Sequence, residues 1–140
     1  GLVGMACILL AEDDNSLRQF LAKALARAGH AVVDCADGND AMAQIMDKTR
    51  EFYLLLADIV IPRLDGIELA RRAGKEIPGL KVLFITGFAA IALYAKRTEL
   101  ANETRILSKP FHLKDLVGEV DKILAVQLSQ AGLQSRVLSV

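Results

Sequence analysis

Apolar and polar positions along the chain fall into two alternating rhythms. Short continuous apolar runs bounded by turn residues read as strands buried on both faces, and they occur at Met5–Ala11, Ala31–Ala36, Phe52–Ala57, Lys81–Ile85 and Thr104–Ser108. Between them apolar residues recur with the 3.6-residue period of an amphipathic helix. Ser16–Ala28 places Leu17, Phe20, Leu21, Ala24, Leu25 and Ala28 on an inward stripe and Arg18, Lys23 and Arg27 on the other face. A second helix over about Asn39–Asp47 turns Ala41, Met42, Ile45 and Met46 inward, and a third spans Gly66–Glu76. The alanine-rich stretch Phe88–Arg97 predicts a fourth, and Leu113 to about Val126 a fifth, striped by Leu116, Val120, Ile123 and Leu124. Asp14 or Asn15 can cap the first helix, since short polar side chains accept the orphan N–H groups of a first turn. Pro62 with Gly66, and Pro78-Gly79, mark turns. Successive βα units imply an α/β chain with a parallel sheet and helices on both faces.

Length and charge narrow this picture. A chain of 140 residues is expected to form one domain, here set over residues 5–126, with 1–4 read as an N-terminal extension left by expression and 127–140 as a tail or helix extension. Basic and acidic residues balance at 17 each, which gives no reason to expect a nucleic-acid partner. No apolar run reaches membrane-spanning length, and no basic segment precedes the first apolar stretch, so the expectation is a cytoplasmic protein without membrane insertion. Cys7 and Cys35 match no metal or redox spacing and read as buried free thiols in a reducing compartment.

Candidate chemistry gathers at the ends of the strands. Parallel strands open their carboxyl ends on one edge of the sheet, where α/β proteins bind ligands. The first strand ends on Glu12, Asp13 and Asp14, the third on Asp58, the fourth on Thr86 and the fifth on Lys109. Carboxylates crowded into one crevice persist if a hard divalent cation neutralises them, and Mg2+ (or Mn2+) suits such oxygen donors and shares its shell readily with phosphate. A lysine and a hydroxyl on the same edge complete a phosphoryl-transfer site. In it Asp58 is the nucleophile, forming an acyl phosphate, while Lys109 and the cation stabilise the transferring charge.

The motifs Leu9-Leu10-Ala11-Glu12-Asp13-Asp14, Leu56-Ala57-Asp58, Pro62 to Gly66, Ile85-Thr86-Gly87 and Lys109-Pro110-Phe111 resemble those of the receiver domains of two-component response regulators. That resemblance implies a flavodoxin-like (βα)5 fold with strand order 2-1-3-4-5. It implies that Asp58 accepts phosphoryl from a histidine kinase or histidine phosphotransfer protein. It also implies that Asp13, Asp58 and the backbone carbonyl of Val60 hold the metal, with Glu12 acting through water. Thr86 would bond one phosphoryl oxygen and Lys109 another, and the Lys109–Pro110 peptide would be cis. The runs Ile8–Ser16, Leu54–Ile61, Asp65–Arg71, Phe84–Ala90 and Leu107–Leu113 further resemble the CpdR group of stand-alone receivers, which implies control of protein degradation by the ClpXP protease.

Several positions depart from the commoner receiver pattern. Ile106 stands where many receivers carry an aromatic ring, and reads either as a shifted signalling mechanism or as a strand residue on a partly covered face. Val60 and Phe88 flank the path of the attacking water in receivers; two apolar residues there predict a long-lived phosphoryl form. The apolar excess from Phe88 to Tyr94, together with the fifth strand and last helix, reads as a partner surface for a monomer or weak homodimer. Asp65 reads as turn chemistry beside Gly66, and His30 and His112 as loop and helix-start residues. Val60 also lies where phosphatases of this fold carry a second acid, which argues for a phosphoacceptor switch and against an enzyme. A phosphorelay shuttle is the alternative.

Overall fold

The computed structural model describes residues 7–87 and 104–138, with the side chains of the last helix as far as Ala125. Residues 1–4, Met5 and the helix predicted over Phe88–Arg97 lie outside the described residues. The elements are β1 (Cys7–Ala11), α1 (Asn15–Arg27), β2 (Ala31–Cys35), α2 (Gly38–Met46), β3 (Phe52–Asp58), α3 (Gly66–Glu76), β4 (Lys81–Thr86), β5 (Thr104–Ser108) and α4 (Leu113–Leu138). All strand pairs are parallel, in the order β2-β1-β3-β4-β5. β1 and β3 are therefore neighbours, with Ala11 opposite Ala57, and the loops after them open side by side.

Alternate residues of the central strands serve opposite faces, as a period of two requires. Leu9 and Leu55 pack with Ala41 and Ile45 of α2 and with Ile67, Leu69, Ala70 and Ala73 of α3. Ile8, Leu10, Leu54 and Leu56 pack instead with Leu21 and Leu25 of α1 and with Leu116, Val120, Ile123 and Leu124 of α4. Each such leucine or isoleucine stabilises the fold by about 1.5–3 kcal/mol relative to exposure. Both faces of the central strands are consequently dry, and polar groups are displaced to the strand ends.

α1, α2 and α3 each start on an aspartate. Asp14 accepts the Leu17 N–H (3.0 Å), Asp37 that of Asp40 (2.8 Å) and Asp65 that of Glu68 (2.8 Å). Asp14, not Asn15, is the cap of α1, and Asp65 is a helix cap rather than a turn residue. The loop from β3 to α3 is docked on the start of α2: Gly38 N–H donates to the Pro62 carbonyl at 3.2 Å, and Asp37 pairs with Arg63 at 3.5 Å.

Three expectations about packing are corrected. Phe20 and Met46, placed on inward stripes by phase, are 56% and 52% exposed. Only Leu21 and Leu25 of α1 are fully buried, with Leu17 and Ala22 partly buried beside them, and Phe20 is left on the flank, lining a shallow groove with Pro110 and Phe111. Met46 is the last residue of α2. Cys7 is only half-buried, because it starts β1 where the register with β3 shifts, whereas Cys35 is buried; both thiols are free. The backbone of α4 stays helical to Leu138, in keeping with the helix-extension reading of 127–140.

Candidate functional site

The carboxyl edge of the sheet brings four of the candidate side chains together. Asp58 ends β3, where its apolar neighbours leave it 7% exposed. Glu12 follows β1 and is 1% exposed, while Asp13 beside it is exposed. Lys109, one residue beyond β5, reaches between the two buried acids: its Nζ donates to Asp58 Oδ2 at 2.8 Å and to Glu12 Oε1 at 3.1 Å. The second oxygen of each acid takes a backbone donor, Val60 N–H on Asp58 Oδ1 (3.1 Å) and Asp14 N–H on Glu12 Oε2 (3.2 Å). The acids are thus fixed by donors at both oxygens, as buried carboxylates require.

Burial pushes the Glu12 carboxyl up to about 7, with the charge of Asp58 adding to the effect and the Asp14 N–H and Lys109 opposing it. Burial works against the Lys109 charge, but the hydrogen bonds and charges of Asp58 and Glu12 outweigh it and raise its pKa. The shift on Glu12 is a stability statement. Its carboxyl ionises at about 7 in the folded chain against an ordinary 4.5, so the fold holds that proton more tightly than the unfolded chain does. The resulting stabilisation is complete below the ordinary value and is lost as pH rises through about 7, by a few kcal/mol at most. Melting curves in chelator, taken from about pH 5 to about pH 8, should therefore fall more steeply for the parent chain than for Glu12→Gln. Parallel curves would show that Glu12 does not titrate in this range.

One carboxylate oxygen from each of Glu12, Asp13 and Asp58 can be chosen so that all lie within 4.8 Å of one another. Oxygens on opposite sides of an octahedral Mg2+ shell are about 4 Å apart, so a small movement of the exposed Asp13 side chain suffices for a shared cation. Three acids against one lysine leave an excess of negative charge, which also favours a cation. The donor set fits a hard divalent ion.

The other candidates are placed as follows. Thr86 is fully buried at the end of β4. Its hydroxyl makes a long 3.4 Å contact to the Gly87 carbonyl, and its own carbonyl accepts the Lys109 N–H at 2.7 Å, which ties the ends of β4 and β5 together. Val60, two residues beyond Asp58, is 62% exposed. The Lys109–Pro110 peptide is cis. Ile106 is half-buried, opposite Phe84 in register, and packs against the core on the α2 and α3 side. Phe88 and Tyr94 lie outside the described residues.

Sequence reading missed Arg18, which phase assigned to a solvated face. Its side chain is only 13% exposed and reaches back over the loop after β1. The available signal was its place in the first turn of α1: side chains tilt toward a helix N-terminus, here toward Glu12 and Asp13.

A parallel sheet in this order, with an acid pair after β1, an aspartate ending β3 and a lysine after β5, defines a class. The chain belongs to the response regulator receiver domain family, whose family model matches residues 8–121. It is similar to the response regulator receiver protein CpdR of Brucella abortus, with 52% identity over 120 residues, covering 86% of this chain and 98% of that relative. The sensor kinase CckA of the same organism is 32% identical over 126 residues, 90% of this chain but 13% of the kinase. Among solved structures, a CheY-like receiver domain protein from Methanospirillum hungatei matches with a TM-score of 0.80 and 26% identity, covering 91% of this chain and 99% of that one. The receiver domain of the hybrid histidine kinase CckA matches with a TM-score of 0.72 and 26% identity, covering 85% and 99%. Among the described residues no helix is long and apolar enough to cross a membrane.

Proposed function

We propose that Asp58 accepts a phosphoryl group from a histidine kinase or a histidine phosphotransfer protein, and that the phosphorylated chain signals through altered protein–protein contacts. The observation that supports this reading most is the Asp58 carboxylate itself: nearly buried at the end of β3, and held by Lys109 Nζ at 2.8 Å beside a cluster fit for a divalent cation. In the transfer an Asp58 carboxylate oxygen bonds to phosphorus as the donor's P–N bond breaks, and the leaving imidazole takes up a proton. Lys109 is placed to balance charge on the incoming phosphoryl oxygens. Thr86, one residue beyond the register partner of Asp58, supplies a hydroxyl to them. Asp13, Asp58 and the Val60 carbonyl would hold Mg2+ or Mn2+, with Glu12 acting through water. The ion supplies Lewis-acid neutralisation of the phosphoryl oxygens.

Similarity to CpdR favours control of ClpXP-type proteolysis as the output, in the cytoplasm, with the protein as monomer or weak homodimer. Affinity capture from the source cytosol with the parent chain and Asp58→Ala tests this output. Protease components retained by one form and not the other support it; equal retention overturns it. Rapid passage of label from the phosphorylated chain to a purified histidine phosphotransfer protein would favour a relay role instead.

Val60 itself, exposed and two residues beyond Asp58, offers no hydrogen-bonding side chain to orient an attacking water. The phosphoryl form is expected to last hours. Val60→Asn, whose amide can hydrogen-bond and orient a water, should shorten its lifetime roughly tenfold. Loss of label from the parent chain within a minute would show that water reaches the phosphorus without such help.

A further inference from the structure

Arg18 makes an unusual set of bonds for a helix residue. Its Nη1 donates to the Glu12 carbonyl at 2.8 Å, its Nε to Asp34 Oδ2 at 3.1 Å and its Nη2 to Asn15 Oδ1 at 2.6 Å. The Glu12 carbonyl belongs to the peptide that joins Glu12 to Asp13. The other side of Glu12 is fixed as well, its N–H donating to the Cys35 carbonyl at 3.0 Å. Glu12 therefore hangs between β2 on one side and the guanidinium on the other, and the plane of the peptide leading into Asp13 is set by Arg18.

Helix stability does not explain this residue. A cation aimed back at a helix N-terminus opposes the macrodipole, a cost that the Asp14 cap and Asp34 offset without requiring the bond to the Glu12 carbonyl. The planar fork, by contrast, matches several acceptors held at fixed angles, which an ammonium on a flexible stem does not. We propose that Arg18 is a positioning residue for the cation site: by holding the Glu12–Asp13 peptide it aims the exposed Asp13 carboxylate at the oxygens of Glu12 and Asp58. This rests on the phosphoacceptor reading above. Asp34, at 45% exposure on β2, acts one step further out by orienting the guanidinium.

Simple electrostatics makes the opposite forecast, and that makes the proposal testable. Removing a positive charge near an acidic cluster should tighten cation binding, and replacing it by another positive charge should change little. If Arg18 acts by position, Arg18→Ala and Arg18→Lys should each weaken Mg2+ binding about tenfold, the scale of one lost charge-assisted hydrogen bond. Asp34→Asn should weaken it less. Binding is measured by Mg2+ calorimetry and by Mn2+ titration followed by electron paramagnetic resonance, neither of which needs a phosphodonor.

Labelling with phosphoramidate gives a second readout. Arg18→Lys should raise the Mg2+ concentration for half-maximal rate while leaving the rate at saturating Mg2+ near that of the parent. A merely structural role would lower the melting temperature in chelator and leave cation affinity alone. Tighter binding by Arg18→Ala, or parental affinity in Arg18→Lys, overturns the proposal while leaving the phosphoacceptor reading intact. If Arg18→Ala does not fold, the lysine and Asp34 variants decide alone. A parent chain that binds no divalent cation and takes no label on Asp58 fails the reading itself, and the role of Arg18 falls with it.

Discussion

Asp58→Ala should take up no phosphoryl group from phosphoramidate or acetyl phosphate with Mg2+, while the parent chain takes up one, sensitive to hydroxylamine and mapping to Asp58. The neighbouring acids do not substitute. Glu12 is 1% exposed, is pushed up to about 7, and already accepts from Lys109 and the Asp14 N–H, so it offers no free, accessible nucleophile. Asp13 is exposed, but the described geometry gives it no contact with Lys109 to balance the transferring charge. The loss of label is not expected to come from unfolding. Removing Asp58 takes a charge away from Glu12, and Lys109, whose side chain is 31% exposed, keeps Glu12 as a partner and can be rehydrated. An unchanged or raised melting temperature alongside zero label is the expected pair of results. Stoichiometric label on Asp58→Ala would move the acceptor to another residue.

Gly66→Ala should cost the fold about 3 kcal/mol or more, with a fall of roughly 10 °C in melting temperature. A Cβ at this position would lie 2.3 Å from the Asp58 carbonyl oxygen and 2.9 Å from the Ile59 Cα. Both are backbone atoms, so no rotamer change relieves the clash. The bond from Gly66 N–H to the Ile59 carbonyl, 2.9 Å, holds α3 in this position. Relief must come from moving the start of α3 away from the loop that carries Asp58, so labelling should fall along with stability. Gly74, in the same helix, provides the control. A Cβ there meets nothing within 4 Å, and Gly74→Ala should stabilise by about 0.5–1 kcal/mol, the cost of glycine in a helix interior. Equal melting temperatures for the two alanine variants would mean that the approach of α3 to Asp58 is looser than described.

Much of this was legible in the sequence for identifiable reasons. β5 and α3 have the bounds that their apolar phase and flanking turn residues predict, Thr104–Ser108 and Gly66–Glu76. The gathering of Glu12, Asp13, Asp58 and Lys109 also followed, since a parallel sheet delivers every strand end to one edge and the strand order decides which ends meet. Phe20 was not legible, because phase names a helix face but not how wide a stripe the sheet covers. Arg18 was missed for a related reason: a charged residue opposite the apolar stripe looks solvated until its tilt toward the preceding loop is known. The approach of Gly66 to Asp58 joins residues from different elements at backbone contact, and no local pattern encodes that distance.

The two faces of the sheet close at different times as the chain is made. The face served by α2 and α3 is built from elements that lie between or next to the strands they cover. The opposite face waits for Leu116, Val120, Ile123 and Leu124 of α4, which pack on Ile8 and Leu10 of β1 from more than a hundred residues further along the chain. Such distant contacts repay their loop-closure entropy only late. Until α4 arrives, α1 alone among the helices of that cluster can cover this face of an emerging chain. The face shared by α1 and α4 is therefore completed only once α4 is in place.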